Sequence, residues 1–396
     1  MLIPKLAYRN IAGAGIRTWL NVIVLSIAFV TIIWVQGLIE GMGKFAMDDM
    51  VDKEMAGGQF WHRVYDRYDP LTVEDAHGQP SPQLTELVSK GLAEPILITS
   101  GAIFPEGREQ SLLIKGINPR QEIMNLPTSV LETGEPGMVP ALIGTRMAKQ
   151  TGLKKGDFVT MRWRDIHGTF DATDIQIVDI MNVTVPSVDN GLVWIPIENL
   201  RQMLQSAPDE ATLFVLAKNM ETIPQASQVS GDWIYRDLDY LLSDIMEIIE
   251  AKSASTTILY ALLLGMALLA IFDTQVLAIF RRRKEMGTLM ALGMTRSKII
   301  SLFTLEGAMH ALLALLVGAV YGVPLLYLTA KKGIPLPEAM SDFGIAISNT
   351  LYPSYGAGLL VGTTLLILIT VTIVSLIPTR KIVKLKPTDA LRGKLS

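Results

Sequence analysis

Residues 18–39 read TWLNVIVLSIAFVTIIWVQGLI, twenty-two positions without a charged side chain. The hydrocarbon core of a bilayer needs about 20 apolar residues in helix, so this stretch is long enough to span one. Its apolar core exceeds the roughly 7–15 residues of a secretory signal, and no convincing small-x-small cleavage site follows it. It is expected to persist as a membrane helix. Residues 253–280 are interrupted only by Asp273, and residues 299–330 carry Glu306 and His310 near their start. Residues 356–377 are rich in Leu, Ile, Val and Thr. The expected fold class is an α-helical membrane domain with four transmembrane helices, one plus three, and a large insert after the first.

Composition agrees with that reading. Hydrophobic residues make up 49% of the 396 positions and charged residues 18%, against about 25% charged in a soluble domain. A net charge of −3 excludes a strongly basic nucleic-acid binder. With no cysteine in the chain, disulfides, zinc–thiolate sites and CxxC redox chemistry are excluded as well.

Lys and Arg beside the spans set orientation. Lys5, Arg9 and Arg17 precede the first span; Arg281, Arg282, Arg283, Lys284, Arg296 and Lys298 lie between the second and third. Arg380, Lys381, Lys384, Lys386, Arg392 and Lys394 follow the fourth. Fifteen basic residues thus face only Glu285 and Asp389, which predicts that both termini and the middle loop are cytoplasmic. Residues 39–252 would lie outside, with 18 basic and 32 acidic side chains.

The insert is long enough for one or two domains with their own cores. Residues 96–98, 111–115, 158–163, 174–180 and 191–195 are short, β-branched and often alternating, and read as strands. Residues 144–152 and 197–204 read as helices, so the insert is expected to be a large α+β extracytoplasmic domain. Its edges read as helical stalks. In residues 233–252, Leu238, Leu241, Leu242, Ile245, Ile248 and Ile249 recur at three- and four-residue spacing, the mark of an amphipathic helix. Residues 41–55 continue from the first span with Met42, Phe45, Met47, Met50, Val51 and Met55. Stalks of this kind either connect or transmit motion.

The segments expected are therefore a cytoplasmic amphipathic helix (1–17), the first span (18–39), the extracytoplasmic domain (40–252) and the second span (253–280). A cytoplasmic coupling segment (281–298), the third span (299–330), an outside loop (331–355), the fourth span (356–377) and a cytoplasmic tail (378–396) complete the chain.

Residues 281–303 read RRRKEMGTLMALGMTRSKIISLF. This string resembles the cytoplasmic segment of the MacB/FtsX/LolC-LolE superfamily of ABC transporter permeases, where a short helix docks on the ATPase. KLAYRNI at 5–11, ALIGTRMAKQTGLKKGDFV at 141–159 and PTDALR at 387–392 resemble further blocks of that family, so the likeness covers essentially the whole chain. It implies docking roles for Arg283, Glu285, Met286, Gly287, Leu289, Leu292 and Gly293. It also implies a MacB-like extracytoplasmic domain and a cytosolic ABC ATPase as partner. A second permease copy or paralogue, a periplasmic carrier or adaptor and membrane lipids are the other implied partners.

No G-x-x-x-x-G-K-[ST] occurs, so no phosphate-cradling loop is present. ATP and Mg would be bound by the partner, with no cofactor in this chain. The layout is closest to the LolC/LolE type. The expected function is a non-catalytic inner-membrane permease that couples ATP hydrolysis elsewhere to movement of its outside domain (mechanotransmission), for lipoprotein release. The alternatives are the permease of a MacB-like tripartite efflux pump and an FtsX-like activator of an extracytoplasmic partner.

Two carboxylates and one histidine lie within the spans. Intramembrane carboxylates are costly and usually face protein, so Asp273 is expected to pack against another helix. Glu306 and His310 share one helix face; a metal site is not expected, and Glu306 is read as anchoring the third span to the basic loop. Gly37/Gly41, Gly318/Gly322 and Gly358/Gly362 are spaced for close helix packing. No nucleophile–base–acid set stands out, and His62, His77 and His167 lack ligand spacing.

Overall fold

A computed structural model describes residues 15–183, 186–218, 231–335 and 350–382. Its helices are α1 (Ile16–Met50), α2 (Pro82–Ser89), α3 (Thr145–Thr151), α4 (Ile197–Leu204), α5 (Leu238–Arg281), α6 (Arg283–Ala291), α7 (Arg296–Lys332) and α8 (Ala357–Ile382). The chain divides into a helical unit (Met1–Gly43, Ile248–Pro335, Thr350–Ser396) and a unit containing Lys44–Glu247.

Among the described residues, four helices are long and apolar enough to cross a membrane: α1, α5, α7 and α8. They pack through a core of Leu25, Phe29, Ile32 and Ile33 from α1, Ala267 from α5, Ala311 and Ala314 from α7, and Ile367 and Val371 from α8. Small residues set how closely they approach. A Cβ on Gly322 would lie 2.7 Å from Val30 of α1, and one on Gly318 would lie 3.4 Å from Phe29. Gly37 and Gly41 seat the segment before α8: a Cβ there would strike the Tyr355 ring and the Tyr352 carbonyl. The Ser354 amide also donates to the Gly37 carbonyl (2.8 Å). Gly358 and Gly362 meet nothing within 4 Å, so that pair packs no described neighbour. Gln36 of α1 accepts a hydrogen bond from the Thr363 hydroxyl of α8 (2.8 Å).

In the other unit, nine described strands form one mixed sheet: β1 (Gln59–His62), β2 (Ala93–Ile103), β3 (Gln110–Ile117), β4 (Val139–Gly144), β5 (Phe158–Arg164), β6 (Phe170–Met181), β7 (Leu192–Pro196), β8 (Leu213–Leu216) and β9 (Trp233–Arg236). The order is β3-β7-β4-β6-β5-β2-β8-β1-β9, and β2 also pairs with β3. Six strands therefore close on themselves, from β3 round to β2 and back. The ring forms because its strands alternate. In β5, Val159, Met161 and Trp163 point inward while Phe158, Thr160, Arg162 and Arg164 do not, the period of two that a one-sided strand requires. Inside lie Leu97, Ile114, Ile143, Met161, Ile177 and Ile195, and Leu200 and Leu204 of α4 join the same core.

The strand beginning β2 leaves the ring to pair with β8 through Ala93–Ile96, and β8 leads to β1 and β9. Here the structure corrects the expected stalk. Residues 233–236 are a strand, with Trp233 buried and its indole donating to the Gln79 carbonyl (3.1 Å). The helix starts only at Leu238, where the Asp237 carboxylate accepts the Tyr240 amide (2.8 Å) as an N-cap does. The expected row of apolar residues also divides. Leu241 is buried and Leu238, Leu242 and Ile245 pack beside it. Ile248 is exposed, and Ile249 touches the Gly43 position. The opposite edge is not uniform either: α1 ends at Met50 and a π-turn follows at Val51–Met55. Residues 1–14 of the expected amphipathic helix, most of the 331–355 loop and the tail beyond 382 lie outside the described residues.

Glu94 on β2 is buried. Burial pushes its carboxyl up to about 7, with the Asn118 amide and the Arg201 charge opposing that rise. Its folded-state pKa lies above the unfolded value, so its contribution to stability is greatest below about pH 4.5 and is lost as pH rises through 7. Glu94→Gln is expected to remove this slope, raising the melting temperature of the full chain by a few degrees at pH 8 and leaving it near parental at pH 4.5. Equal shifts at both pH values would refute the assignment.

Candidate functional site

The segment between α5 and α7 is built by a glycine-ended helix. In α6, the Gly293 amide donates to Met290 and the Met294 amide to Leu289 (both 3.0 Å). That pair of bonds is a Schellman motif, with Gly293 as the left-handed residue past the C-cap, and its φ is +91°. The accompanying apolar contact is present: Met286, Ile299 and Phe303 form a small core with Leu289, Met290, Met294 and Ile300 around it. Sequence thus dictates a tight reversal that lays α6 against the start of α7.

One charge fastens this reversal. Arg282 donates twice to Glu306 on α7 (3.1 and 3.0 Å) and once to Glu285 (2.8 Å), while its guanidinium lies 5.1 Å from the Phe303 ring centre. The Glu306 side chain is 9% exposed and that of Arg282 25%, so solvent screens this pair far less than a surface pair. The Glu306 carbonyl also lies 2.8 Å from Nδ1 of His310 one turn on, within the helix itself.

The residues expected to dock a partner separate into two groups. Glu285, Leu292 and Gly293 are exposed, Leu292 to 80%. Met286 and Gly287 are buried and Leu289 is half-buried, turned to the α7 core. Nothing is described for the Arg283 side chain. Glycine at 293 serves the turn and not a close approach: a Cβ there would meet nothing within 4 Å, so the constraint is backbone conformation. Asp273 also departs from expectation: among the described residues it is exposed on α5 and not packed against another helix. Arg282 was legible only as one of a basic run. Its partner Glu306 is 24 residues away, and no local spacing signals the pair.

Residues 257–387 match the family model described as the FtsX-like permease C-terminal. They are similar to the C-terminal part of FtsX-like permeases. Among curated proteins, the lipoprotein-releasing system transmembrane protein LolC of Xylella fastidiosa is 23% identical over 353 residues, covering 80% of this chain and 83% of that protein. LolC of Neisseria meningitidis serogroup B is 21% identical over 249 residues, covering 58% and 60%. Among solved structures, the periplasmic region of MacB from Actinobacillus actinomycetemcomitans aligns with a TM-score of 0.33 and 7% identity, over 50% of this chain and 95% of that one. The extracellular domain of YknZ, an ABC-type transporter from Gram-positive bacteria, gives a TM-score of 0.28 and 10% identity, over 46% and 99%. The family match and the curated relatives support the resemblance to the MacB/FtsX/LolC-LolE superfamily of permeases.

Two outcomes follow for this segment. Arg282→Ala and Glu306→Ala should each destabilise the chain by about 2 kcal/mol, because each takes an opposite charge away from a poorly solvated one. The double variant should cost less than the sum, with a coupling of about 1–2 kcal/mol in thermal unfolding of the solubilised chain; strict additivity would deny the pair. At position 293, Gly293→Asn should be tolerated better than Gly293→Val, since Asn adopts positive φ more readily. Equal losses in the two melting curves would contradict the backbone argument.

Proposed function

We propose that this chain is the permease subunit of an ABC transporter that releases lipoproteins from the inner membrane, driven by a separate cytosolic ATPase. The observation that carries this reading is the likeness to LolC over 80% of the chain, together with an FtsX-like domain at residues 257–387. The relatives' printed role supplies the cargo class, and a sequence without a phosphate loop supports the reading that a partner binds ATP and Mg.

The basic residues beside the spans orient the α5–α7 segment towards the cytoplasm. Glu285 and Leu292, both exposed, are then the first candidates to contact the ATPase, while Met286 and Leu289 hold α6 in place. Movement would pass along α1 and α5, each a single helix that runs from the membrane span into the stalk. Helices transmit force well because every turn is tied to the next by backbone hydrogen bonds. A second permease chain, identical or related, would complete the transporter, and an extracytoplasmic carrier would accept the cargo.

Ser243 tests the coupling. It lies in the first turns of α5, with its hydroxyl bonded to the Tyr240 carbonyl (2.7 Å). Proline there removes a helix bond and clashes with the preceding turn, at about 3 kcal/mol. In the complex reconstituted with its ATPase, Ser243→Pro should leave ATPase binding and basal hydrolysis near parental and sharply reduce lipoprotein release. Assembly is checked by co-purification of the ATPase in the same preparation. Undiminished release from the assembled variant would rule out mechanical coupling through α5.

A further inference from the structure

Between the root of α5 and the sheet lies a cavity of about 350 Å³, within the size range of small-molecule sites, about 300–1,000 Å³. Its apolar wall is built by Met55, Trp61, Tyr65, Leu113, Trp194 and Leu241. Its charged groups balance, Lys115 and Arg67 against Glu54 and Asp244, and Gln59, Tyr68 and Asn190 add neutral polar groups. A multiply charged anion would meet two carboxylates there. A largely apolar ligand with a single oxygen function would not.

Three observations mark this cavity as a binding site. First, two of its wall groups are donors without partners: the indole N–H of Trp194 and the Nε–H of Arg67 are both buried and unbonded. Buried polar groups are almost always satisfied, so each such exception calls for an explanation. Second, Lys115 is 7% exposed and its ammonium reaches Glu54 only at 3.4 Å, longer than the roughly 2.7–2.9 Å of a good charge-assisted bond. That ammonium sits 5.1 Å from the Trp194 ring centre, so Lys115 and Trp194 are neighbours in the cavity wall. Third, Glu54 and Met55 are presented by the π-turn at Val51–Met55, and π-bulges occur frequently at functional sites.

We propose that this cavity binds a single acyl chain, its methylenes against Trp61, Leu113 and Leu241, and its ester or carboxyl oxygen taken by Lys115 and the Trp194 indole N–H. The volume holds about a dozen groups of water-like size, at about 30 Å³ each. That suits one chain and not the body of a two-chain lipid. Occupancy would fill the space beneath Leu241 and Ile245, and so brace the first turns of α5 against the sheet. The chain could come from a free fatty acid or from an acylated protein or lipid; the shared chemistry is an acyl chain with its carbonyl.

Photolabelling of the full chain in lipid nanodiscs tests this. Three diazirine probes of equal length are used: a fatty acid, its methyl ester, and an alkane without oxygen. The acid or the ester should label peptides containing Trp61, Leu113 or Leu241, and excess unlabelled ester should displace it. The stronger of the two identifies the source, charged free acid or neutral acyl ester. The alkane should label these peptides about fivefold less, the equivalent of one lost hydrogen bond. Trp194→Phe, which keeps the ring and removes the donor, should lower ester labelling by a similar factor. Leu113→Trp, at a half-buried wall position, should lower it about tenfold by filling the cavity. Labelling no greater than elsewhere in the sheet unit, failure of the ester to displace, or equal labelling by the alkane would overturn the proposal. Displacement in the parent chain decides the matter even if Leu113→Trp fails to fold. The assay needs no ATPase, so its failure leaves the permease reading standing, and failure of lipoprotein release leaves this binding site standing.

Discussion

Lipid offers no hydrogen-bond partner, so a backbone that crosses a bilayer must satisfy its own amides and carbonyls. That constraint makes each crossing a helix, and here two of the helices do not stop where the apolar sequence stops. α1 has 35 residues and α5 has 44, both well beyond the twenty or so that a hydrocarbon core requires. The excess turns carry charged and amphipathic sequence. A requirement of the membrane thus supplies the stiff elements that any coupling between the chain's two ends would use.

Where the helix does stop, chemistry of a different kind takes over. The turn from α5 to α7 is closed by Gly293, by a small Met-rich core and by the Arg282–Glu306 pair. Their weights differ. Pairs such as Arg120–Glu132, with side chains 82% and 45% exposed, contribute little, since water screens them and side-chain entropy opposes them. In the Arg282–Glu306 pair one guanidinium nitrogen reaches both carboxylate oxygens, and the pair is largely shielded, so separating it would weaken the hold on charges where water is scarce. The exposed face of α6 then divides: Leu292 can be shaped for a partner without loosening the turn, whereas Glu285 also accepts a hydrogen bond from Arg282.

Much of the architecture could be read from residue order alone. The four apolar stretches stand out because lipid demands length, and strands such as β5 stand out because one face is buried and the other is not. α4 occupies the residues expected for it, Ile197–Leu204, and Gly152 ends α3 in the left-handed conformation (φ +75°). What escaped was set by distant partners. β1, β8 and β9 have four residues each, too short for periodicity to register, and they exist through pairing with one another and with β2. Residues 233–236 look helical when Leu238 and its successors are read with them; the cap at Asp237 divides the two. Arg282 is indistinguishable from Arg281 and Arg283 until Glu306 is brought beside it. Glycine at 293 could be noticed, but whether space or backbone angle required it could not.

The pairing of β1 with β9 joins Phe60 to Tyr235, near the two ends of the insert. Contacts between residues so far apart in sequence form late, because a long loop must close before any bond rewards it. The sheet cannot be completed until almost all of the insert has been synthesised, and β2, which needs both β3 and β8, must wait with an open edge. Such an edge invites pairing with other chains. During biogenesis, therefore, the hazardous interval falls between the emergence of β2 and that of β8, and it is there that a chaperone would have most to protect.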